Sequence, residues 1–250
     1  MRGKKVLKSW PEEWPEVTFT RRKRQRYIRL RVYPDRIAVS APTYCSITEM
    51  AHFVDSQRNH IAKSLTRLRK REEKLEAAVK KHEHQMLLRG VWKDLRPAND
   101  LFPGSFHHKN GDWRFVEKEQ IVLFYPPADV EAYPNKSVQE VFYRALAGDE
   151  IRERFSRVSA SLPFRYNRVF IRSQKTRWGT CSSKGNLSFN WRLIKCPYPI
   201  WDYLFIHELY HTVHMNHSPD FWQLVNTHYP RLEEARIWIR ENEPLIFSEV

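Results

Sequence analysis

The stretch IHELYHTVHMNHSPDFW, residues 206–222, holds four histidines and one glutamate in a short, mostly apolar context. In an α-helix, residues four apart lie on one face, so His207 and His211 point the same way and can share one metal ion. Glu208 then lies beside the ion, where its carboxylate can move a proton between water and a leaving amine. Because a buried His/Glu group needs a strong polar partner, we favour a metal site over a hydrogen-bonded core cluster.

The helical spacing leaves the third metal ligand open. His214 stays on the ligand face only while the helix continues, and it then lies a further turn along the axis. The run SPD at 218–220 matches N-cap, N1 and N2 of a new helix, and Asn216 tolerates the left-handed conformation that ends helices. A turn there would let His217 fold back onto the metal, so His217 is the preferred ligand. The other candidates are His214, His228, Glu233 and Glu234.

The segments before this motif predict helices and strands in alternation. Ser137 and Glu140 form a capping box, followed by one long or two short helices to about residue 160. RVFIR at 168–172 predicts a strand, and 178–191 predicts a hairpin that turns at SSKGN. The next helix begins near Pro199, which suits a first turn, and carries the histidines.

The beginning of the chain predicts a β-rich region. Residues 17–40 read as strands with a turn at Pro34-Asp35, and the segment TRRKRQR at 20–26 reads as a basic hairpin tip. Residues 90–136 predict further strands, with a hairpin turn at KNGD, 109–112.

Between these β-segments the spacing of apolar residues predicts helix. Ser46 and Glu49 form a capping box for its first part. The helical pattern then continues through a charged run, 58–84, whose narrow apolar face fits either a solvated arm or a partner-binding helix.

The net charge of the chain and the length of its apolar segments restrict the classes of possible partner. The chain has 43 Lys and Arg against 29 Asp and Glu, a formal net charge of +14, which suits either a polyanion partner or simply a basic surface. The stretch 20–36 is the most basic, yet it holds no motif that reads DNA or RNA. The apolar runs are too short to span a bilayer and the N-terminus lacks a signal-peptide core, so no membrane partner is expected. Three cysteines without a CxxC pair predict a reduced, cytoplasmic setting.

The segments SQKTRWGTCSSKGNLSFNWRLIKCP (173–197), IHELYHTVHMNHSPDFW (206–222) and IRLRVYPDRIAVSAP (28–42) resemble the YgjP-like, or WSSP, zinc metallopeptidases, relatives of the SprT-like and WLM proteases. The resemblance implies a zincin-like catalytic domain, with an active-site helix beside a small sheet. It implies zinc as the cofactor, His207, His211 and His217 as its ligands and Glu208 as the general base. A metzincin is disfavoured, because His214 stands where that group has glycine and no methionine follows Met215.

Other residues are candidates for contact with substrate. Peptidases with this motif commonly pair an extended substrate with an edge strand, and SFN at 188–190, including Asn190, is a candidate strand. Lys175 and Arg177 are candidates for binding an anionic group. Candidate donors to the reacting carbonyl oxygen are His214, Tyr203 and Tyr229. Four further residues are expected to pack in the core rather than to bind metal or substrate: Trp178, Trp191, Cys181 and Cys196.

Together these features predict an α+β fold. We expect an N-terminal β-rich region with a long basic helix over 1–136 and a zincin-like catalytic domain over 137–250. The first functional hypothesis is a zinc metallopeptidase that cleaves polypeptides. The second keeps the zinc hydrolase but gives it a nucleotide or another phosphoanhydride as substrate. The third is a nucleic-acid-associated protein with a zinc site.

Overall fold

The structure is a computed structural model that describes residues 10–98, 106–107, 113–127 and 132–248. The described residues form three β-sheets and six α-helices, which confirms the α+β class. The chain separates into two compact units, Met1–Ala77 and Ala78–Val250. The boundary expected between residues 136 and 137 falls inside the second unit, and as a limit between independently folding domains it stays a prediction. The KNGD turn at 109–112 lies outside the described residues.

The first unit contains a three-stranded sheet and two helices. Its elements are β1 (Glu16–Arg22), β2 (Arg29–Val32), β3 (Arg36–Pro42), α1 (Ile47–Ser56) and α2 (Arg58–Lys81), which ends in the second unit. The strand order is β1-β3-β2, with β1 parallel and β2 antiparallel to β3. Because β3 separates β1 from β2, the predicted hairpin at TRRKRQR is wrong, whereas Pro34-Asp35 does join paired strands. The Ser46 capping box is confirmed, since its hydroxyl accepts from the Glu49 amide at 3.1 Å.

The described residues of the second unit form two sheets and four α-helices. One sheet has the order β4-β5-β8-β7-β6 and the other has the order β10-β11-β9. The elements are β4 (Gln85–Leu88), β5 (Val91–Pro97), β6 (Phe106–His107), β7 (Arg114–Glu117), β8 (Ile121–Tyr125), α3 (Lys136–Ala160), β9 (Val169–Arg172), β10 (Gly179–Cys181), β11 (Leu187–Asn190), a 3₁₀ helix (Trp191–Lys195), α4 (Tyr198–Tyr210), α5 (Pro219–His228) and α6 (Leu232–Phe247).

Helix α3 is one continuous helix that starts earlier than its sequence signals suggest. Asn135 is the N-cap, and its side chain accepts a hydrogen bond from the Val138 amide at 3.1 Å. The capping box predicted at Ser137 and Glu140 is therefore wrong, because Ser137 already lies in the first turn. Two cap-forming residues stand two positions apart, and the helix uses the first.

Helix α4 is the centre of the second unit. It contacts α3, β10, α5 and α6, and most of its residues from Ile200 to Tyr210 are buried. A helix that is apolar on nearly every side is stable only when other elements cover it. The polar side chains of its last turn therefore lie inside the protein.

Candidate metal centre

The two helical histidines lie where α4 ends. The helix stops at Tyr210, so His207 is in its last turn and His211 is the C-cap residue. The chain then turns, with the amide of His214 donating to the Tyr210 carbonyl at 2.9 Å. Helix α5 begins as predicted at Pro219, with the Ser218 side chain as its cap. The turn needs no left-handed residue at Asn216, since Arg89 is the only non-glycine residue with positive φ in the described chain.

This turn brings three imidazoles together. The Nε2 atoms of His207, His211 and His217 form a nearly equilateral triangle: 3.2 Å from His211 to His207, 3.2 Å from His211 to His217 and 3.1 Å from His217 to His207. These are the only three metal-ligating side chains that converge in the described part of the chain. His214, His228, Glu233 and Glu234 do not join them.

The triangle fits a metal ion better than it fits hydrogen bonds. Nitrogen ligands about 2.0–2.1 Å from a tetrahedral zinc lie roughly 3.4 Å apart, close to the separations observed. The Nδ1 atom of His211 lies 2.8 Å from the carbonyl oxygen of His214, an acceptor, so Nδ1 carries the proton and Nε2 of a neutral ring presents a lone pair. Burial, followed by the charges of His211, His217 and Arg236, lowers the pKa of His207 to about 3. Neutral rings with convergent lone pairs are the form that binds a metal.

Glu208 lies beside this cluster in a buried position. Its side chain is 5% exposed and makes no hydrogen bond within the described residues. Burial raises the pKa of Glu208 to about 8, and the positive charge of Arg177 opposes that rise. A carboxylate held away from water in this way is a strong proton acceptor.

Gly179 makes the room that Glu208 occupies. A β-carbon placed at Gly179 would lie 2.6 Å from Cγ and 2.7 Å from Oε1 of Glu208, well inside van der Waals contact. The first residue of β10 therefore has to be glycine for Glu208 to keep this position. Glu208 and Gly179 are far apart in sequence, so neither spacing nor composition indicates their contact.

The comparison with known families agrees with this geometry. A family model described as the YgjP-like metallopeptidase domain matches residues 26–242. The chain belongs to the YgjP-like metallopeptidase family. Membership indicates a metal-dependent peptidase with a polypeptide substrate and gives no support to nucleic-acid binding. No curated protein and no solved structure matches the chain. In the described residues of this YgjP-like chain, no helix is both long and apolar enough to cross a membrane.

The predicted substrate strand needs a correction. β11 pairs with β10 on one side and with β9 on the other, so SFN at 188–190 is the middle of its sheet and offers no free edge. Asn190 is fully buried, and its amide donates to the carbonyls of Gln174 and Arg177 at 2.7 and 2.9 Å. Its Oδ1 accepts from the Arg192 amide at 3.1 Å. Asn190 therefore positions the loop at 174–177, and its polar atoms are not available to a peptide.

The remaining candidates divide between the surface and the core of the YgjP-like domain. Lys175 and Arg177 are exposed. The Tyr229 hydroxyl donates to the Pro199 carbonyl at 2.8 Å, whereas the Tyr203 hydroxyl makes no hydrogen bond within the described residues. Trp178 and Trp191 are buried, and both indole N–H groups are satisfied inside the protein. Cys196 is buried, Cys181 is half-buried, and neither joins the histidine cluster.

Two aromatic residues and one arginine around the histidines were given no role in the sequence analysis. The Phe221 ring stacks on His211 at 4.6 Å, and the Trp222 ring stacks on His217 at 5.4 Å. The Arg236 guanidinium lies over the Trp222 ring, 4.9 Å from its centre. The first turn of α5 thus fixes the orientation of two imidazoles. A hydrophobic pair at the third and fourth positions of a helix looks like ordinary core, which is why sequence reasoning gave it no contact with the histidines.

Proposed function

We propose that this chain is a zinc-dependent metallopeptidase with a zincin-like centre, in which the HExxH helix α4 lies against the β10-β11-β9 sheet. His207, His211 and His217 would hold the zinc, and Glu208 would be the general base. The observation that carries the proposal is the meeting of three imidazole Nε2 atoms at 3.1–3.2 Å beside a buried carboxylate.

A zinc ion bound there would supply a Lewis acid that polarises a peptide carbonyl and makes water more acidic. The protein contributes the proton transfers. Glu208 takes a proton from the attacking water and later returns it to the leaving amine, which is general base and then general acid catalysis. Tyr203 is the better candidate than Tyr229 for donating to the carbonyl oxygen, because the Tyr229 hydroxyl is already engaged with Pro199.

The substrate peptide would bind along β10 rather than β11. β10 pairs with β11 on one side, and no strand of the described residues pairs with its other side. An extended peptide added at that edge would run past Gly179, which contacts Glu208. Lys175, Arg177 and His214 remain the candidates for contacts with substrate side chains. Three free cysteines are compatible with a reducing, cytoplasmic setting.

The test is a pair of matched substitutions. Glu208→Gln keeps the size of the side chain but removes the base, so it should retain bound zinc and lose about 10²–10⁴-fold in kcat. Glu153→Gln, an exposed residue paired with Arg157 on α3, should change neither quantity. Zinc content by mass spectrometry and cleavage of a fluorogenic peptide library would be measured together. Full peptide turnover by the Glu208→Gln protein, against a metal-free control, would refute the assignment.

A further inference from the structure

The loop between β1 and β2, together with the strand ends that flank it, forms a strongly basic surface on the first unit. Seven exposed cations lie in eleven consecutive positions: Arg21, Arg22, Lys23, Arg24, Arg26, Arg29 and Arg31. The sequence has no acidic residue from 17 to 34. None of the seven side chains forms an ion pair, a hydrogen bond or a cation–π contact with a described residue. The loop therefore presents a positive field to solvent.

The acidic residues nearest to the loop in sequence do not neutralise it. Glu16 stands in register with Arg36 at the opposite end of β1, and Asp35 binds Arg36 at 2.8 Å. On the other side of β3, the Glu49 carboxylate accepts from the Ser46 amide at 2.6 Å in the cap of α1. These three carboxylates are therefore placed or engaged elsewhere in the described part of the first unit.

The backbone of the loop is held by hydrogen bonds that do not involve its charged side chains. The Gln25 side-chain amide donates to the carbonyls of Tyr27 and Ser40, both at 2.6 Å. The Gln25 backbone amide donates to the Arg22 carbonyl at 3.3 Å and closes a turn. Ile28 packs against the core of the first unit. The loop therefore has a defined shape from which the charged side chains project outward.

The sheet continues this surface beyond the loop. Ile37, Val39 and Ala41 of β3 are buried in the core, so the alternate residues of the sheet lie on its other face. The register aligns two rows of side chains on that face: Thr20, Ser40 and Arg29, then Thr18, Ala38 and Arg31. Because the other side chains in both rows are small, the face is flat beside the two arginines.

Two exposed tyrosines accompany the arginines. The Tyr27 side chain is 74% exposed and that of Tyr44 is 81% exposed. The Tyr44 hydroxyl donates to the Arg26 carbonyl at 3.5 Å, so both rings lie at the same end of the sheet. An open groove of about 370 Å³ at this end is lined by Arg22, Arg24, Gln25, Arg26, Tyr27 and Arg29. The groove thus combines guanidinium groups with an aromatic ring.

Simpler explanations account for only part of this surface. Charged side chains on an edge strand protect it from aggregation, which explains Arg29 and Arg31 on β2 but not the cations at 23–26. An acidic polypeptide would match the cations but would leave Tyr27 and Tyr44 without a role. A single-stranded nucleic acid uses both, because its phosphates match the planar guanidinium groups and its unpaired bases stack on aromatic rings.

We propose that the first unit binds single-stranded nucleic acid on this surface. Phosphates would lie in the groove against Arg22, Arg24 and Arg26, and unpaired bases would stack on Tyr27 and Tyr44. Such binding recognises charge and the faces of bases, so it needs no motif that reads a base sequence. The proposal rests on the first unit alone and does not depend on peptide cleavage by the second.

The experiment measures binding of fluorescent oligothymidylate and oligouridylate, each of about 12 nucleotides, to the full chain by anisotropy over a range of salt concentrations. At about 50 mM salt we expect both to bind more tightly than a DNA duplex of equal length or polyglutamate. Arg24→Gln should reduce the slope of log K against log salt concentration by about 0.7, the value for one phosphate contact of a single strand. Arg157→Gln removes the same charge from an exposed position on α3 and should leave the slope unchanged.

A second pair of variants tests the stacking. Tyr27→Ala should weaken binding of both oligonucleotides by about 5- to 150-fold, the loss expected for one stacked base. Tyr27→Phe keeps the ring and should bind as tightly as the unchanged protein. Equal affinity in the Tyr27→Ala protein, an unchanged slope in the Arg24→Gln protein, or no binding by the unchanged protein would overturn the proposal. Duplex or polyglutamate binding as tight as that of the single strands would overturn it as well.

Discussion

Adding one methyl group at Gly179 should disable the candidate base without touching the candidate metal ligands. The new β-carbon would lie 2.6 Å from Cγ, 2.8 Å from Cδ and 2.7 Å from Oε1 of Glu208. Because carbon atoms in contact are about 3.5 Å apart, the Glu208 side chain has to move by about 1 Å. A misplacement of that size at a reacting group costs about a hundredfold in rate. We therefore expect Gly179→Ala to lose about a hundredfold in kcat/KM and to keep its zinc.

The same contact predicts a cost in stability that depends on Glu208. Overpacking of this kind destabilises a fold by about 1–3 kcal/mol. In a Glu208→Ala background the new methyl group has space, so adding Gly179→Ala there should hardly change the free energy of unfolding. The double-mutant cycle therefore isolates the contact between the two residues. Urea unfolding of the four proteins, peptide cleavage and zinc content are the assays.

Gly148→Ala on α3 is the matched control for this experiment. Its β-carbon would meet only the Arg152 Nη1 atom at 3.5 Å. In a helix interior this exchange stabilises by up to about 1 kcal/mol and should leave turnover unchanged. If Gly179→Ala kept full peptide turnover, or destabilised the protein equally with and without Glu208, the contact between these two residues would not hold the base in place.

Three further substitutions test the candidate metal ligands and the buried lysine. His217→Ala should release zinc whereas His214→Ala should retain it, since His214 contributes its main-chain carbonyl to His211; equal zinc content in both proteins would contradict this assignment. Burial, followed by the charge of Arg192, lowers the pKa of Lys195 from 10.5 to about 8, so the unfolded chain binds more protons between these values and stability should rise with pH across that window. At pH 7, Lys195→Met should therefore be about 1–3 kcal/mol more stable than the unchanged protein, with the difference shrinking towards pH 10. Urea unfolding that showed a loss of stability would refute this expectation.

The local parts of the candidate site could be predicted from sequence. The spacing of His207 and His211 fixes their common face in any α-helix, and Ser218 before Pro219 marks where the next helix begins. The preference for His217 as the third ligand rests on these two facts, because His217 lies in the short connection between the two helices. Such features depend on residues a few positions apart, where backbone geometry leaves few alternatives.

The non-local parts could not be predicted in this way. β11 becomes the middle strand only because β9 pairs with it in parallel from the opposite side, and a hairpin signal contains no information about a third strand. The Asn135 cap competed with an equally plausible signal at Ser137. The burial of Lys195 depends on Tyr143 of α3, a helix far away in the chain. The strand order and the burial of Lys195 depend on contacts with distant segments, which short sequence patterns do not encode. The helix cap is a local miss, in which two neighbouring residues carry the same signal.

The second unit departs from the usual rules of a stable core at four places, and these departures separate into two groups. Three imidazole nitrogens face one another, the Glu208 carboxylate is buried without a hydrogen bond from any described residue, and β10 begins with the only residue type small enough to admit that carboxylate. A metal ion and its substrate water would satisfy the first two, and the third follows from them. Lys195 is different, because it stands on another element among other residues, and a metal at the histidines gives it no partner. A cost that the candidate metal centre does not explain requires its own cause, and the gain in stability expected of Lys195→Met measures its size.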